Sequence, residues 1–302
     1  MQASEAMGKH TTIGMGRHRR QRIEPLFNEM FIRIFGSDRS YNLTKSLVNS
    51  IFEKVGLEPI ETIYSLDAEH AIVDGSIDCK TPRLDVQIVA SGQVIDLEAQ
   101  NKNDAIGDRF LFYGTKLIAK HAKSGTRYAD MPKVIVITLL DNVSILDDSE
   151  DFVSIAKMRW GNESGDVASD KLTFVLVELD KFRRQYDMLD KEVLSDPTLA
   201  WLYLLTKGFK SEREVDQIMD AFPSLEEFAE LYGYALNDPK VERAYDDMIS
   251  AELEYNSRQD FYKKLEREGF EKGVERGVEQ VIAKLRELGA DESLIEALRE
   301  KE

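Results

Sequence analysis

The sequence predicts an α/β fold, with a mixed-sheet core flanked by helices and followed by an all-helical C-terminal region. Two continuous apolar runs, Lys133–Leu140 and Leu172–Val177, are typical of strands buried on both faces. The stretch Arg83–Gln100 alternates apolar and polar residues like a hairpin. From Leu189 onward the apolar residues recur at helical spacing. Together these patterns place the sheet ahead of a helical region.

The composition is that of a globular protein, with 42% hydrophobic and 32% charged residues. No run approaches the roughly 18 apolar residues of a membrane span, so we expect no membrane partner. The N-terminus lacks an apolar signal-like segment, and the single Cys79 fits a reducing compartment, so we expect a cytoplasmic location. None of the four histidines stands at zinc-binding spacing from Cys79.

The net charge of −16 lies entirely in the second half of the chain. Residues 1–141 carry no net charge, whereas residues 142–302 hold 22 basic and 38 acidic residues. This acidity argues against a general nucleic-acid binder. It does not argue against nucleic-acid binding by residues 1–141, which carry no net charge. The basic stretch Arg17–Arg22 has two interpretations, a phosphate contact or a disordered solvated tail.

The first elements are predicted from apolar spacing and from helix stop signals. A helix is expected from Pro25 to Gly36, and a second over Tyr41–Val55 with Gly56 as its stop. A strand is expected over Ile60–Leu66, followed by an acidic loop at 72–79.

The hairpin turns at Ser91-Gly92, a two-residue loop of the kind that favours glycine. Residues then pair when their numbers sum to about 183, which places Asp85 opposite Glu98. Side chains alternate between the two faces of a strand. The core face is predicted to carry Leu84, Val86, Ile88, Ile95, Leu97 and Ala99. The polar face is predicted to carry Asp85, Gln87, Asp96, Glu98 and Gln100.

Asp85 and Glu98 are candidate ligands of a metal ion. Two carboxylates directly opposite each other repel, at a cost of roughly 0.2–1 kcal/mol. A hard divalent cation would remove that cost, and Mg²⁺ typically takes one or two protein carboxylates together with waters and substrate phosphate. The hairpin therefore suggests a metal-dependent phosphodiesterase site. The alternative is a solvated polar face, which an antiparallel hairpin also produces, and spacing alone does not separate the two.

A long helix is predicted after the hairpin, from about Ala105 to Ser124 and closed by Gly125. On it Arg109 and Tyr113 are four residues apart and share a face, as do Lys116 and Lys120. Arg109 or Lys116 is expected to contact a phosphate near the carboxylates, and a solvated charged face is the alternative for each. The polar interval 142–170 is expected to be a long loop or an excursion at the sheet edge.

The C-terminal part is predicted to be helical throughout. The expected helices are one around Trp201–Leu205 ending at Gly208, Ser211–Phe222 with a capping box of Ser211 and Glu214, Leu225–Leu236, a charged helix from Asp238 to about Leu288, and 291–300. Gly269, Gly273 and Gly277 recur every four residues and form a stripe where another helix can approach closely, which suggests a homo-oligomer or a hinge.

The expected organisation has four parts. They are a disordered basic tail at 1–22, an α/β domain at 23–185, a helical region at 186–237, and the charged helix with its glycine stripe and a short terminal helix at 238–302.

Residues from about 25 to 180 resemble the Rpn-type recombination-promoting nucleases, also called PD-(D/E)XK nuclease family transposases. The resemblance rests on an ordered set of motifs: the opening helix at Asn28–Gly36 (NEMFIRIFG), the strand Arg83–Ser91 with its acidic ligand at Asp85, the Glu-X-Gln signature within Ile95–Gln100 (IDLEAQ), the helix with Arg109, Tyr113, Lys116, Gly125 and Tyr128, and the buried strand Lys133–Asp141. The Gly-rich charged segment 264–280 and the helical tail are also similar to the ends of such proteins.

The resemblance implies a restriction-endonuclease-like fold and DNA cleavage that depends on Mg²⁺ or Mn²⁺, in the setting of recombination or mobile elements. We expect Asp85 and Glu98 to bind the ion, with the backbone carbonyl of Ala99 as a further ligand. Gln100 would orient the attacking water, and Arg109, Tyr113 and Lys116 would face the substrate phosphate.

Two positions bear on the strength of this site. The opening helix has Asn28 where the family tends to have Asp, although Glu29 is adjacent as an auxiliary acid. Gln100 stands where the wider superfamily has Lys, although the family itself commonly has Gln, and a neutral amide cannot supply the charge of an ammonium.

Two other functions remain open from the sequence. The first is a catalytically weak or inactive nuclease fold that serves as a binding or assembly module, with the acidic helical half mediating self-association. The second is a transposase that recognises a DNA sequence, but the chain has neither a zinc finger nor a convincing helix-turn-helix to read one.

Overall fold

The computed structural model describes residues 23–71, 83–101, 105–122, 125–207 and 211–291. The helices are α1 (Asn28–Phe35), α2 (Tyr41–Val55), α3 (Ile106–His121), α4 (Leu179–Gln185), α5 (Pro197–Lys207), α6 (Glu212–Ala221), α7 (Glu226–Leu236) and α8 (Pro239–Glu287). The strands are β1 (Ile63–Ala71), β2 (Arg83–Ala90), β3 (Gln93–Gln100), β4 (Lys133–Leu140), β5 (Val153–Arg159) and β6 (Val167–Glu178). Short 3₁₀ turns lie at Tyr128–Asp130 and Pro223–Leu225.

The strands form one mixed sheet in the order β1-β2-β3-β4-β6-β5. The chain enters as an antiparallel meander of β1, β2 and β3. It continues with β3, β4 and β6 parallel to one another, because α3 carries the chain from β3 back to the start of β4. The edge strand β5 pairs antiparallel with β6. The predicted mixed sheet is confirmed.

The register of the β2–β3 hairpin is the one expected from its turn. Val86 pairs with Leu97, Gln87 with Asp96, and Ile88 with Ile95, and every pair sums to 183. Gly92 has a φ of 70°, which glycine adopts without the steric cost of a Cβ. The tight turn therefore sets which side chains share a face.

Helices cover both faces of the sheet. On one face α3 packs on β4 and β6, where Tyr113 and Leu117 join a buried cluster with Val94, Val134, Val136 and Leu172. On the other face α4 packs on β4, and Arg183 of α4 forms an ion pair with Asp141 at the end of that strand. Helices α1 and α2 contact β2 and β1, and α5 and α7 pack behind them.

Local stop and start signals explain several element ends. Gly56 ends α2 in the left-handed conformation, at a φ of 65°. Ser211 caps α6 because its hydroxyl accepts a hydrogen bond from the Glu214 backbone N–H at 3.4 Å. The predicted end of α2 is confirmed, and Ser211 supplies its own half of the predicted capping box.

Other expectations about secondary structure need correction. Of the two expectations for the interval 142–170, the long loop is wrong, because the interval contains β5 and the first residues of β6. The other expectation, an excursion at the sheet edge, agrees with the position of β5 at that edge. Strand β5 has mostly exposed or half-buried residues, so it lacks the apolar signal of the buried strands. The expected strand at Ile60–Leu66 begins at Ile63 and continues to Ala71, and the short helix α4 directly after β6 was not predicted. The expected helix at 291–300 and the loop at 72–79 lie outside the described residues.

The chain divides into two compact units, Met1–Glu242 and Arg243–Glu302. The first unit contains the sheet and helices α1 to α7, and α8 begins in it. Over the described parts of both units, no helix has the length and apolar content that a membrane crossing requires.

Candidate active site

The polar face of the hairpin lies beneath α3. On β3, Asp96 and Glu98 alternate onto the same face as Val94, which packs against Tyr113 and Leu117 of α3. Asp96 is 0% exposed, Glu98 is 3% exposed and Gln87 is 2% exposed. The interpretation of this face as a solvated surface is therefore wrong. Isolated buried carboxylates are costly, so this burial requires a compensating partner.

Asp85 reaches across the hairpin to the strand that carries Glu98. The backbone N–H of Ala99 donates a hydrogen bond to Oδ2 of Asp85 at 3.1 Å. The observed register ends at the pair Val86–Leu97, and its continuation by one residue would place Asp85 opposite Glu98. The hairpin thus gathers three acids, Asp85, Asp96 and Glu98, on one small patch of the sheet.

Electrostatics within this patch favour protonated carboxyls in the metal-free protein. Burial raises the pKa of Glu98 well above its ordinary value, and the charges of Asp96 and Asp85 raise it further. Arg109 and a hydrogen bond from Gln100 act in the opposite direction. Burial likewise raises the pKa of Asp96, with Asp85 as the next cause. These raised pKa values mean that a bound cation would compete with protons for the same oxygens.

Arg109 is the cation that α3 brings closest to Glu98 among the described contacts. Its Nη2 lies 4.0 Å from Oε2 of Glu98 and donates to the Tyr113 hydroxyl at 3.2 Å. The guanidinium also stands over the Tyr113 ring, 5.4 Å from the ring centre. Burial raises the pKa of Tyr113, and the Glu98 charge adds to that effect. Arg109 and Tyr113 therefore act as one unit at the rim of the acidic patch.

The two lysines of α3 have different surroundings. Lys116 lies over the ring of Phe112, 5.8 Å from the ring centre. Lys120 donates to the Oε1 atom of Gln87 at 3.1 Å, and burial lowers the pKa of Lys120. Gln87 pairs with Asp96 across the hairpin, so Lys120 reaches the polar face through Gln87. Lys120 was not among the expected site residues, although its position four residues after Lys116 was the available signal.

The auxiliary residues of the opening helix lie on α1. Asn28 is exposed and Glu29 is half-buried there. The helix packs against α7 and β2, and Gly36 at its end approaches Ala68 of β1. Ala68 pairs with Val86, and the side chain of Val86 lies on the opposite face of β2 from that of Asp85. The assistance of Asn28 or Glu29 to a metal site stays a prediction.

Asp96 is the site residue that the sequence analysis did not assign. It lies on the predicted polar face of the hairpin, but the Glu-X-Gln motif indicates a role only for Glu98 and Gln100. Both of its carboxylate oxygens are buried and have no hydrogen-bond partner. Its spacing of two residues from Glu98 was the signal for a shared face.

The donor set of this patch fits a hard divalent cation. Buried carboxylate oxygens without hydrogen-bond partners remain on both Asp96 and Glu98. No cluster of three or more His, Cys, Asp or Glu side chains in the described parts of the chain is arranged to hold a metal ion. A cation here would therefore take one or two carboxylates, with backbone oxygen and water completing its shell, which is the usual pattern for Mg²⁺.

The comparisons with known proteins identify a family for the chain. A family model described as "PD-(D/E)XK nuclease family transposase" matches residues 27–260, which include the whole sheet and the acidic patch. The comparison with curated proteins and the comparison with solved structures each gave no match.

Proposed function

The chain belongs to the PD-(D/E)XK nuclease family transposases, and we propose that it hydrolyses phosphodiester bonds of DNA with the help of Mg²⁺ or Mn²⁺. The chain accordingly has a restriction-endonuclease-like α/β fold. A role in recombination or at mobile elements and a cytoplasmic location are part of the same proposal. They rest on the family match and on the sequence composition.

The observation that carries the proposal is the burial of Glu98 beneath α3 beside two further acids. A protein gains no stability from three neighbouring acids in a dry site, because their desolvation is costly and their charges repel. Glu98 is 3% exposed, and Asp85 lies on the adjoining strand within hydrogen-bond reach of Ala99. A site arranged to bind a cation accounts for both facts.

Asp85 and Glu98 would hold the ion, with the backbone carbonyl of Ala99 as a further ligand. When bound, the ion would supply positive charge beside the scissile phosphate and make a neighbouring water more acidic. Asp85 is fixed by the hydrogen bond from the Ala99 backbone N–H, so its carboxylate is already oriented before substrate binds.

Gln100 would orient the attacking water. Its side chain is close enough to Glu98 to lower the pKa of that carboxyl, which places its amide beside the ligand carboxylate. An amide offers both a donor and an acceptor but no charge, so Gln100 would position the water without activating it electrostatically.

Arg109 would steady the phosphate, with Tyr113 holding its guanidinium in place. The side chain of Arg109 is 30% exposed, and its 4.0 Å separation from Glu98 is longer than a hydrogen bond. Its remaining N–H groups can therefore turn toward a phosphate, for which a guanidinium is well suited. Lys116, about two helical turns further along α3, is the second candidate for a phosphate contact.

The direct test is a plasmid-nicking assay with Mg²⁺. We expect Asp85→Asn and Glu98→Gln each to lower the cleavage rate by on the order of 10²-fold or more, because each removes charge that stabilises the transition state. Glu163→Gln, at an exposed position of the β5–β6 turn, is the matched control and should cleave like the parent. Cleavage by Asp85→Asn and Glu98→Gln at the parent rate would contradict the assignment.

The competing function is a nuclease-fold binding or assembly module with little or no activity. The neutral Asn28, where the family tends to have Asp, and the lack of net positive charge in the second half of the chain favour it. A parent protein that binds DNA but leaves plasmid intact with Mg²⁺ and with Mn²⁺ would support this second function.

A further inference from the structure

The cations of α3 lie on one face of that helix. Three of its formally charged side chains are basic, Arg109, Lys116 and Lys120, and their spacings of seven and four residues place them on a single stripe with Tyr113. The acidic side chain, Asp108, directly precedes Arg109 and therefore lies off the stripe. Like charges four residues apart destabilise a helix, so the row has a cost that a bound anion would offset.

The row leads away from the acidic patch. Arg109 stands at the patch, with its Nη2 atom 4.0 Å from Oε2 of Glu98. Lys120 follows Arg109 by eleven residues, and at about 1.5 Å per residue this places Lys120 about 16 Å further along the helix axis. One strand of duplex DNA advances about 3.4 Å per nucleotide. The row is therefore long enough to follow about five nucleotides of one strand, and not only the phosphate at the cleaved bond.

The far end of the row is fastened to the sheet through Gln87 of β2. Lys120 donates a hydrogen bond from Nζ to Oε1 of Gln87 at 3.1 Å. Gln87 is 2% exposed, and its Nε2 atom lies 3.5 Å from Nε2 of His121. These contacts of the last turn of α3 hold the lysine side chain in place. A side chain that is already ordered loses less conformational entropy when a ligand binds to it.

The surroundings of Lys120 preserve its positive charge. Its acceptor Gln87 is a neutral amide, so this hydrogen bond does not neutralise the ammonium. Burial lowers the pKa of Lys120, but the charge of Asp67 acts in the opposite direction and favours the ammonium form. Asp67 is an exposed residue of the edge strand β1, where it pairs with Gln87. Lys120 therefore presents a cation beside the β1 edge of the sheet.

We propose that Lys120 binds a backbone phosphate of the DNA about five nucleotides from the cleaved bond, so that one strand follows the row Arg109, Lys116 and Lys120 along α3. The inference rests on the proposed function, which supplies the identity of the polyanion. The phosphate contacts predicted from the sequence end at Lys116, and Lys120 extends them by one helical turn. An ammonium binds phosphate as a point charge and reads no base, so Lys120 contributes to affinity without setting a sequence preference.

The test is the salt dependence of DNA binding. Fluorescence anisotropy of a short labelled duplex, in a chelating buffer that prevents cleavage, gives the slope of log K against log salt concentration for each protein. Lys120→Gln should reduce the magnitude of that slope by about 1, because one phosphate contact is lost. Lys120→Arg keeps the charge and should retain the parental slope. Urea unfolding shows that each variant is folded, and a purely structural role for Lys120 would leave the slope unchanged.

Lys157→Gln is the matched control. It removes the same charge from an exposed position of β5, at the opposite edge of the sheet, and should retain the parental slope. Three results would overturn the inference. They are an unchanged slope for Lys120→Gln, an equal reduction by Lys157→Gln, and a parent that does not bind the duplex.

The plasmid-nicking assay separates this inference from the proposed function. If the parent leaves plasmid intact while Lys120→Gln reduces the slope and Lys157→Gln does not, the cleavage assignment fails and the phosphate contact stands. If the parent cleaves plasmid and Lys120→Gln retains the parental slope, the cleavage assignment stands and the phosphate contact fails.

Discussion

At the scale of single residues, the acids of the hairpin show how burial sets protonation. Asp96 and Glu98 have pKa values raised well above their ordinary ones, chiefly by burial. In the metal-free folded protein they hold protons that the unfolded chain would release at the same pH. The folded state therefore binds more protons over the range between the ordinary and the raised pKa values, and its stability must fall as pH rises through that range.

This linkage predicts a pH-dependent difference between the parent and Asp96→Asn. Without divalent metal the two should be similarly stable at low pH, where Asp96 is protonated. As pH rises through the raised pKa of Asp96, the parent should lose stability relative to the variant, by about 1.4 kcal/mol for each unit by which that pKa is raised. Urea unfolding in a chelating buffer from about pH 5 to about pH 9 measures the difference.

Glu163→Gln is the control for this experiment, because Glu163 is exposed. The stability of this variant should change with pH as the stability of the parent does. Parallel pH profiles for the parent and Asp96→Asn would mean that Asp96 does not retain a proton in the folded state. Addition of Mn²⁺ should reverse the trend in the parent, because a cation binds better as its ligands lose their protons.

At the scale of elements, helix α3 both covers the acids and presents Arg109 to them. Its position is set by a close approach to the sheet, where Gly114 lies against the side chain of Leu172. A Cβ at Gly114 would overlap that side chain, whereas a Cβ at Gly107 in the first turn of the same helix would meet open space. Substitution of these two glycines therefore distinguishes the effect of helix propensity on stability from the effect of packing.

This contrast predicts opposite effects of alanine on stability. Gly107→Ala should stabilise the protein by about 0.5–1 kcal/mol, because alanine favours the helix and meets no neighbour. Gly114→Ala should instead destabilise it by about 1–3 kcal/mol, because the added methyl group forces α3 or Leu172 to move. Urea unfolding measures both. Equal stabilisation by the two substitutions would show that α3 does not approach β6 this closely.

At the scale of the whole molecule, the long helix α8 contains Gly269, Gly273 and Gly277, although neither the backbone conformation nor the packing requires glycine there. None has a positive φ, and a Cβ at each would meet nothing within 4 Å. Each glycine weakens a helix by roughly 1 kcal/mol relative to alanine. Exposed apolar residues, including Phe261, Leu265 and Phe270, lie in the same part of the helix. The glycines and the exposed apolar side chains are therefore the basis for the proposal of a homo-oligomer formed through α8.

Sedimentation tests that expectation. We expect the parent to show a dimer whose fraction rises with concentration, and replacement of the three glycines by leucine to weaken it, because bulky side chains prevent close approach of two helices. The alanine replacement is the matched control for helix content, measured by circular dichroism. A parent that sediments as a monomer at every concentration tested would contradict self-association through this helix.

The sequence predicted the features that depend on local chemistry. The hairpin register followed from the Ser91-Gly92 turn, and the end of α2 followed from Gly56, because both depend on a backbone conformation that glycine favours. The burial of Asp96 and Glu98 was not predictable in this way, because it arises from α3 packing over the polar face. Alternation alone cannot distinguish a polar face in water from one beneath a helix.

The missed strand has a similar cause. Strand β5 lies at the sheet edge, and its pattern of exposed residues resembles a loop in sequence. Its pairing with β6 depends on a neighbour that is not encoded in the β5 segment itself. Local sequence pattern therefore predicts the central strands. The edge strand and the burial of the candidate site depend on tertiary contacts that the local sequence does not reveal.

The most direct measurement of the central claim is anomalous diffraction from crystals soaked with Mn²⁺. The account predicts an anomalous peak within ligand distance, about 2.2 Å, of carboxylate oxygens from both Asp85 and Glu98. The same peak should be absent from crystals of Asp85→Asn. A peak that involves neither carboxylate, or an ordered and accessible site that stays without a peak at saturating Mn²⁺, would contradict the account.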